Sequence, residues 1–212
     1  MTYTQRFQEA GCDALELNMA ILPYETTLSS EDVDRLFSNI INTLRKSVTI
    51  PISIKVSQNF TDMANFMQRL SWMNINGITM FNKALNVDID IDKMEITHAP
   101  SLSSPEDIYN TLRWVAILSK KLRCDISAST GVHSAADVVK MLLAGAGTVQ
   151  VVSCLYKNGV DYMRTLNEGL RKWMGDKGFD SLSQFQGKLA VKANEEASMF
   201  FRTQFMKHFA QL

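Results

Sequence analysis

The chain has 212 residues, 46% hydrophobic and 21% charged, the balance of a globular domain long enough to bury one substantial core. Twenty-two Lys and Arg offset twenty-two Asp and Glu, so no net charge exists to recruit nucleic acid or an anionic membrane surface. Cys12, Cys124 and Cys154 are odd in number and form no CxxC pair, and the sequence has neither an apolar run of about 18 residues nor a basic-then-apolar leader; reduced thiols, no metal site of that kind and a cytoplasmic location are expected.

In chain order, Thr2 to Ala10 reads as the end of a helix closed at Gly11, and Ala14 to Asn18 as a short strand with a polar end. After a loop over 19–28, Ser29 and Asp32 form a capping box for a helix in which Val33, Leu36, Phe37, Ile40, Ile41 and Leu44 recur at helical spacing. Pro51 opens the strand Ile52 to Val56, which carries Lys55 near its C-terminal end. A helix from about Thr61 to Met73 and a strand from Ile78 to Asn82 follow.

The next segment, about 84–103, interrupts this alternation. Val87, Ile89 and Ile91 alternate with Asp88, Asp90 and Asp92, and Met94 and Ile96 continue the pattern, which predicts a two-stranded ribbon. The aspartates resemble a calcium loop only superficially: Lys93 stands where that loop needs glycine and Ala99 where it needs a bidentate glutamate, so a solvated ribbon face is expected instead. Ser104, Pro105 and Asp107 then start another helix, with Leu112, Val115, Ala116 and Leu118 to Leu122 on its apolar side.

The stretch Ile126 to Ser153 reads as strand, glycine turn, helix, glycine turn, strand. Ser134 and Asp137 form the capping box of its helix, and Val149, Val151 and Val152 supply the closing strand. Two consecutive βα turns of this kind, at Thr130-Gly131 and Val152-Ser153, are suited to a phosphate group. A helix from about Val160 to Trp173 is expected to break at Gly175 and Gly178, with a short helix around Ser181 to Phe185 beyond. In the tail, about 190–212, Phe201, Phe205 and Phe209 share one helical face that suits docking on the body of the protein. Strands ending at Asn18, Val56, Asn82, Ser129 and Ser153 give five βα units and hence a parallel sheet.

Several segments, taken together, resemble the class 1 dihydroorotate dehydrogenase family: EAGCDALELN (Glu9 to Asn18), PISIKVS (Pro51 to Ser57), GITMFNKALNVDIDI (Gly77 to Ile91), LSSPEDIYNTLRWVAILS (Leu102 to Ser119), STGVHSAADVVKMLLAGAGTVQVVSCLYKNG (Ser129 to Gly159), WMGDKGFDSLSQFQGKL (Trp173 to Leu189) and FRTQFMKHF (Phe201 to Phe209). The resemblance covers nearly the whole chain and corresponds to the C-terminal two thirds of such an enzyme. It implies an FMN-binding (β/α)8 TIM barrel over 1–212, N-terminally truncated so that strands 4 to 8 are present, and the oxidation of dihydroorotate to orotate in pyrimidine biosynthesis. Carried over residue by residue, it places Asn18 and Asn82 on a dihydroorotate-like substrate, and Lys55, Ser129, Thr130, Gly131, Val152 and Ser153 on FMN. It also allows a homodimer.

Two departures stand out. The family's paired glycines at the first turn and its glycine at the second are here Thr130-Gly131 and Val152-Ser153. The loop that carries a Cys or Ser base in the family reads Asn18-Met19-Ala20-Ile21-Leu22-Pro23, so Ile21 occupies the base position, where it can accept no proton. Tyr24 is nearby, but a phenol with an ordinary pKa of about 10 is a weak base at neutral pH. These departures keep two further readings open: a flavin-binding barrel with another substrate, and a truncated homologue without catalysis.

Overall fold

The computed structural model describes residues 3–19, 21, 25–83 and 86–192. Tyr24 and the phenylalanine stripe of the tail lie outside the described residues. In chain order the elements are α1 (Tyr3–Glu9), β1 (Leu15–Met19), α2 (Ser30–Ser47), β2 (Ile52–Val56), α3 (Met63–Ser71), β3 (Gly77–Met80), a ribbon of β4 (Val87–Asp90) and β5 (Glu95–His98), α4 (Ile108–Leu118), β6 (Asp125–Ala128), α5 (Ala135–Ala144), β7 (Thr148–Val149), α6 (Ser153–Asn158) and α7 (Tyr162–Asp176).

β1, β2, β3, β6 and β7 lie side by side in that order, every neighbouring pair parallel. The ladder aligns Leu17, Ile54, Ile78 and Ile126 in one row and Val56, Met80, Ala128 and Val149 in another. These rows face the helices. Ile54, Val56, Ile78, Met80 and Ala128 are fully buried there against Phe37 and Ile41 of α2, Phe66, Met67 and Leu70 of α3, and Val115 of α4. The alternate residues, Glu16, Asn18, Ser53, Lys55, Thr79, Ser127 and Thr148, are all polar and share the opposite, concave face.

This architecture bears out the parallel α/β fold and the five βα units. The sheet curls far enough for Gln150, just past β7, to donate from its amide to the Glu16 carboxylate of β1 over 2.8 Å. Among the described residues no backbone ladder joins β1 to β7, so the closed eight-stranded barrel is not observed.

Local signals placed the helix starts well. The boxes at Ser29/Asp32 and Ser134/Asp137 both form, each with reciprocal side-chain and backbone bonds. A third, Ser104/Asp107, opens a 3-10 turn that feeds α4. The ribbon forms in the expected place, pairing Ile89 with Ile96. It stands clear of the body, and Val87, Ile89 and Ile96 remain exposed.

Boundaries needed correction. The strands stop at Met80, Ala128 and Val149, so Asn82 and Ser129 lie in the turns beyond them and Ser153 opens the next helix. β7 has only two residues, and the chain leaves the ladder to start α6 at Ser153, a helix that Val151 and Val152 disguised as strand. Gly175 does not break α7, because its missing side chain faces open space and costs only modest helix propensity.

The aromatic cluster behind β2 makes one expectation quantitative. Phe66 stacks on Phe60 at 4.2 Å and meets Phe37 edge-on at 5.0 Å. Phe66→Ala is expected to destabilise the fold by about 3–5 kcal/mol, seen as a lower urea midpoint with an unchanged slope.

Candidate functional site

The C-terminal ends of parallel strands gather their loops on one side, which is where α/β sheets hold ligands. At that end of β2, β3, β6 and β7 lies a cleft of about 200 Å³, lined by Lys55, Asn82, Lys83, Ser129, Thr130, Gly131, Gln150, Val152 and Ser153 together with residues 101–103. Seven of the eight residues expected to bind substrate or cofactor therefore converge. Asn18 does not line the cleft: it pairs in register with Lys55 on the concave face and is exposed. A larger cavity, about 520 Å³, opens at the opposite strand ends around Glu16, Ser53, Asp125 and Thr148, but it has no cationic lining residue.

The first turn is built around a glycine that nothing can replace. Gly131 has φ +82°, and a Cβ there would lie 2.1 Å from the backbone nitrogen of Ile108. Thr130 beside it also has positive φ, +79°, a costly conformation for a β-branched residue. Its hydroxyl offsets part of that cost by donating to the Phe81 carbonyl at 2.9 Å.

The helix behind the turn is already capped. Asp137, 7% exposed, accepts from the backbone N–H groups of His133 and Ser134 and from the Ser134 hydroxyl. Those donors are spent inside the protein. The N–H groups of Thr130, Gly131, Val132, Val152 and Ser153 are different: none bonds to another of the described residues. Two short runs of unspent backbone donors thus belong to residues that line one cleft, an arrangement suited to an anion.

The second turn also clamps the chain that follows the ribbon. Ser153 Oγ accepts from Ser103 N–H at 2.8 Å, Lys157 Nζ donates to the Ser103 carbonyl at 3.1 Å, and Ser103 Oγ lies 3.1 Å from His133 Nε2. Sequence reading missed Ser103, Lys83 and Gln150. Lys83 follows Asn82 into the cleft wall and pairs with Asp107 at 2.9 Å. Burial raises the Asp107 carboxyl, but hydrogen bonds from Lys83 and Ser104 N–H outweigh it and hold the group below the ordinary aspartate range. Gln150 could have been found from its spacing, since Thr148 and Gln150 alternate with Val149 and Val151.

Proton acceptors are scarce here. Among the described residues lining the cleft the ionisable side chains are Lys55 and Lys83. The thiols of half-buried Cys124 and buried Cys154 are poor substitutes: desolvation, aided by Asp125, pushes Cys124 up to about 11, and desolvation raises Cys154 as well. Ile21 sits half-buried, its carbonyl 3.5 Å from Ser57 Oγ, and contributes no acceptor side chain.

Comparison with known proteins agrees with this architecture. The family model described as dihydroorotate dehydrogenase matches residues 3–174. The catalytic subunit of dihydroorotate dehydrogenase B (NAD(+)) from Thermoplasma acidophilum is 28% identical over 187 residues, covering 86% of this chain and 62% of that protein. Its counterpart from Pyrococcus furiosus is 26% identical over 193 residues, with the same coverage of 86% and 62%. The Escherichia coli NAD-dependent dihydropyrimidine dehydrogenase subunit PreA is 25% identical over 195 residues, covering 85% of this chain and 47% of its own length. The chain thus spans less than two thirds of these relatives, and it belongs to the dihydroorotate dehydrogenase family.

Two measurements check the first turn. Gly131→Ala is expected to destabilise the fold by about 2–4 kcal/mol in denaturant melts, since both φ and the Ile108 backbone oppose a methyl group. The second concerns Asp137. Burial raises its carboxyl, but hydrogen bonds from Lys140, Ser134 and His133 N–H prevail and keep it below the ordinary range. A depressed carboxyl stabilises the fold fully above the unfolded pKa of about 4 and loses that stabilisation as pH falls through and below it. Urea midpoints between about pH 6 and about pH 2 should therefore fall less steeply in Asp137→Asn than in the unsubstituted protein.

Proposed function

We propose that the cleft holds FMN by its phosphate and that the protein is a flavin-dependent oxidoreductase acting on a dihydropyrimidine ring, with dihydroorotate as the first candidate. The observation that carries this proposal is the convergence of unspent N–H groups from two βα turns on one cleft that also contains Lys55. The first turn keeps the shape this requires because Gly131 packs against the Ile108 backbone, where a Cβ would not fit.

Each residue has a task in this proposal. Thr130, Gly131, Val132, Val152 and Ser153 hold the phosphate through backbone donors, and Ser153 can add its hydroxyl proton while its oxygen still accepts from Ser103. Lys55 places an ammonium group deeper in the cleft, where it stabilises negative charge. Asn82 offers both an amide donor and an acceptor, which matches the edge of a pyrimidine ring. FMN, when bound, supplies the hydride acceptor. Taking the substrate proton falls to no described side chain of the cleft, and Ile21 occupies the position from which the family supplies a base.

That last point favours a second proposal: the same flavin site serving a substrate other than dihydroorotate, one whose oxidation does not need a Cys or Ser base at position 21. The purified protein separates the two. A flavin band near about 450 nm is expected in either case, and its absence from protein reconstituted with FMN would overturn both. Anaerobic dihydroorotate that bleaches the band supports the first; a band that persists supports the second. For the first, Ile21→Ser is expected to raise the bleaching rate by about 10²-fold or more, the range that general acid–base assistance supplies. Lys55→Ala is expected to slow flavin reduction without unfolding the protein.

A further inference from the structure

The concave face carries a chain of side chains that the sequence did not reveal. Lys55 Nζ donates to Gln150 Oε1 at 3.0 Å, Gln150 Nε2 donates to Glu16 Oε2 at 2.8 Å, and Thr79 Oγ1 donates to the same Glu16 oxygen at 2.6 Å. These groups come from β2, the turn after β7, β1 and β3, so the chain spans the concave face from one side of the sheet to the other. Lys55 and Gln150 line the upper cleft, whereas Glu16 lies below them, in the lining of the lower cavity.

The direction of this chain is fixed by chemistry. An ammonium group only donates, and an ionised carboxylate only accepts. An amide between them satisfies both in one orientation alone, with its oxygen toward Lys55 and its NH₂ toward Glu16. Reversed, it would set NH₂ against the ammonium and oxygen against the carboxylate. Gln150 by itself has no such preference, since its two ends are nearly the same size. The Thr79 hydroxyl, on a residue with no exposed surface, steadies the carboxylate from the neighbouring strand.

The geometry points to Glu16 as a positioning residue that sets the Gln150 amide and, through it, holds the Lys55 ammonium at the wall of the upper cleft. Glu16 touches neither cleft nor ligand. Its effect rests on the proposed function only in that Lys55 faces the flavin there; the orientation of Lys55 is a property of the protein alone. What Glu16 supplies is an oxygen acceptor, so a glutamine, whose amide oxygen can take the same two donors, should replace it.

The test follows the Lys55 ammonium directly, by proton exchange with water in side-chain NMR of ¹⁵N-lysine protein without any flavin. The resonance is assigned by its loss in Lys55→Arg. Glu16→Ala is expected to speed exchange of this one ammonium by about tenfold, the scale of one lost hydrogen bond, while Glu16→Gln keeps the slow rate. Gln150→Leu should match Glu16→Ala, and the double variant should be no faster than Gln150→Leu, because both substitutions break one chain. Glu16 is exposed, so its variants leave the core intact, and thermal melts serve as the check.

Unchanged exchange in Glu16→Ala, additive effects in the double variant, or a Glu16→Gln as fast as Glu16→Ala would each overturn the assignment. A failure of FMN binding would count against the function proposed above, while the exchange measurement, made without flavin, would still stand or fall alone.

Discussion

Everything in this molecule depends on the register of one parallel ladder. Because side chains alternate across a strand, aligning Ile54 with Ile78 and Ile126 also aligns Lys55 with Thr79 and Ser127. A slip of one residue between any two strands would turn a buried isoleucine toward the concave face and a lysine or serine toward the helices. The hydrophobic core on one side thus enforces the polar arrangement on the other. Phe37, Phe66 and Val115 act on the functional site through this coupling, although none lies near it.

The same coupling explains how a chain with no net charge builds a cationic corner. Lys55 and Lys83 reach the cleft from the ends of β2 and β3, and each is met by a polar partner, Gln150 in one case and Asp107 in the other. The turns after β6 and β7 contribute backbone donors that need no charged side chain. Asp137 takes the donors nearest α5 and leaves those of the turn itself unspent. An anion entering here would meet N–H groups already held in place, so little reorganisation opposes binding.

Legibility in the sequence followed the range of each interaction. The capping boxes at Ser29 and Ser134 span three residues, and both were found where the sequence put them. The ribbon follows from strict alternation over a few residues. By contrast, Val149, Val151 and Val152 were read as one long strand because β-branched residues favour that conformation; α6 forms because the chain turns away from β6 at the second βα turn. Gly175 was read as a breaker, yet its surroundings are open and the helix continues. Thr130 gave no local warning that it would adopt positive φ.

The sequence by itself determined the alternation of βα units, the apolar rows that become the core and the hydroxyl-bearing turns at Thr130-Gly131 and Val152-Ser153. These are properties of spacing and residue type, written within a few residues of one another. Only the tertiary structure decided that Lys83, Ser103 and Gln150 join the cleft, that Asn18 stays outside it, and that Glu16 meets Gln150 across 134 residues of chain. Such contacts exist because the sheet curls and brings its first and last strands within reach of each other, and curvature is a property of the packed sheet that no single stretch of residues contains.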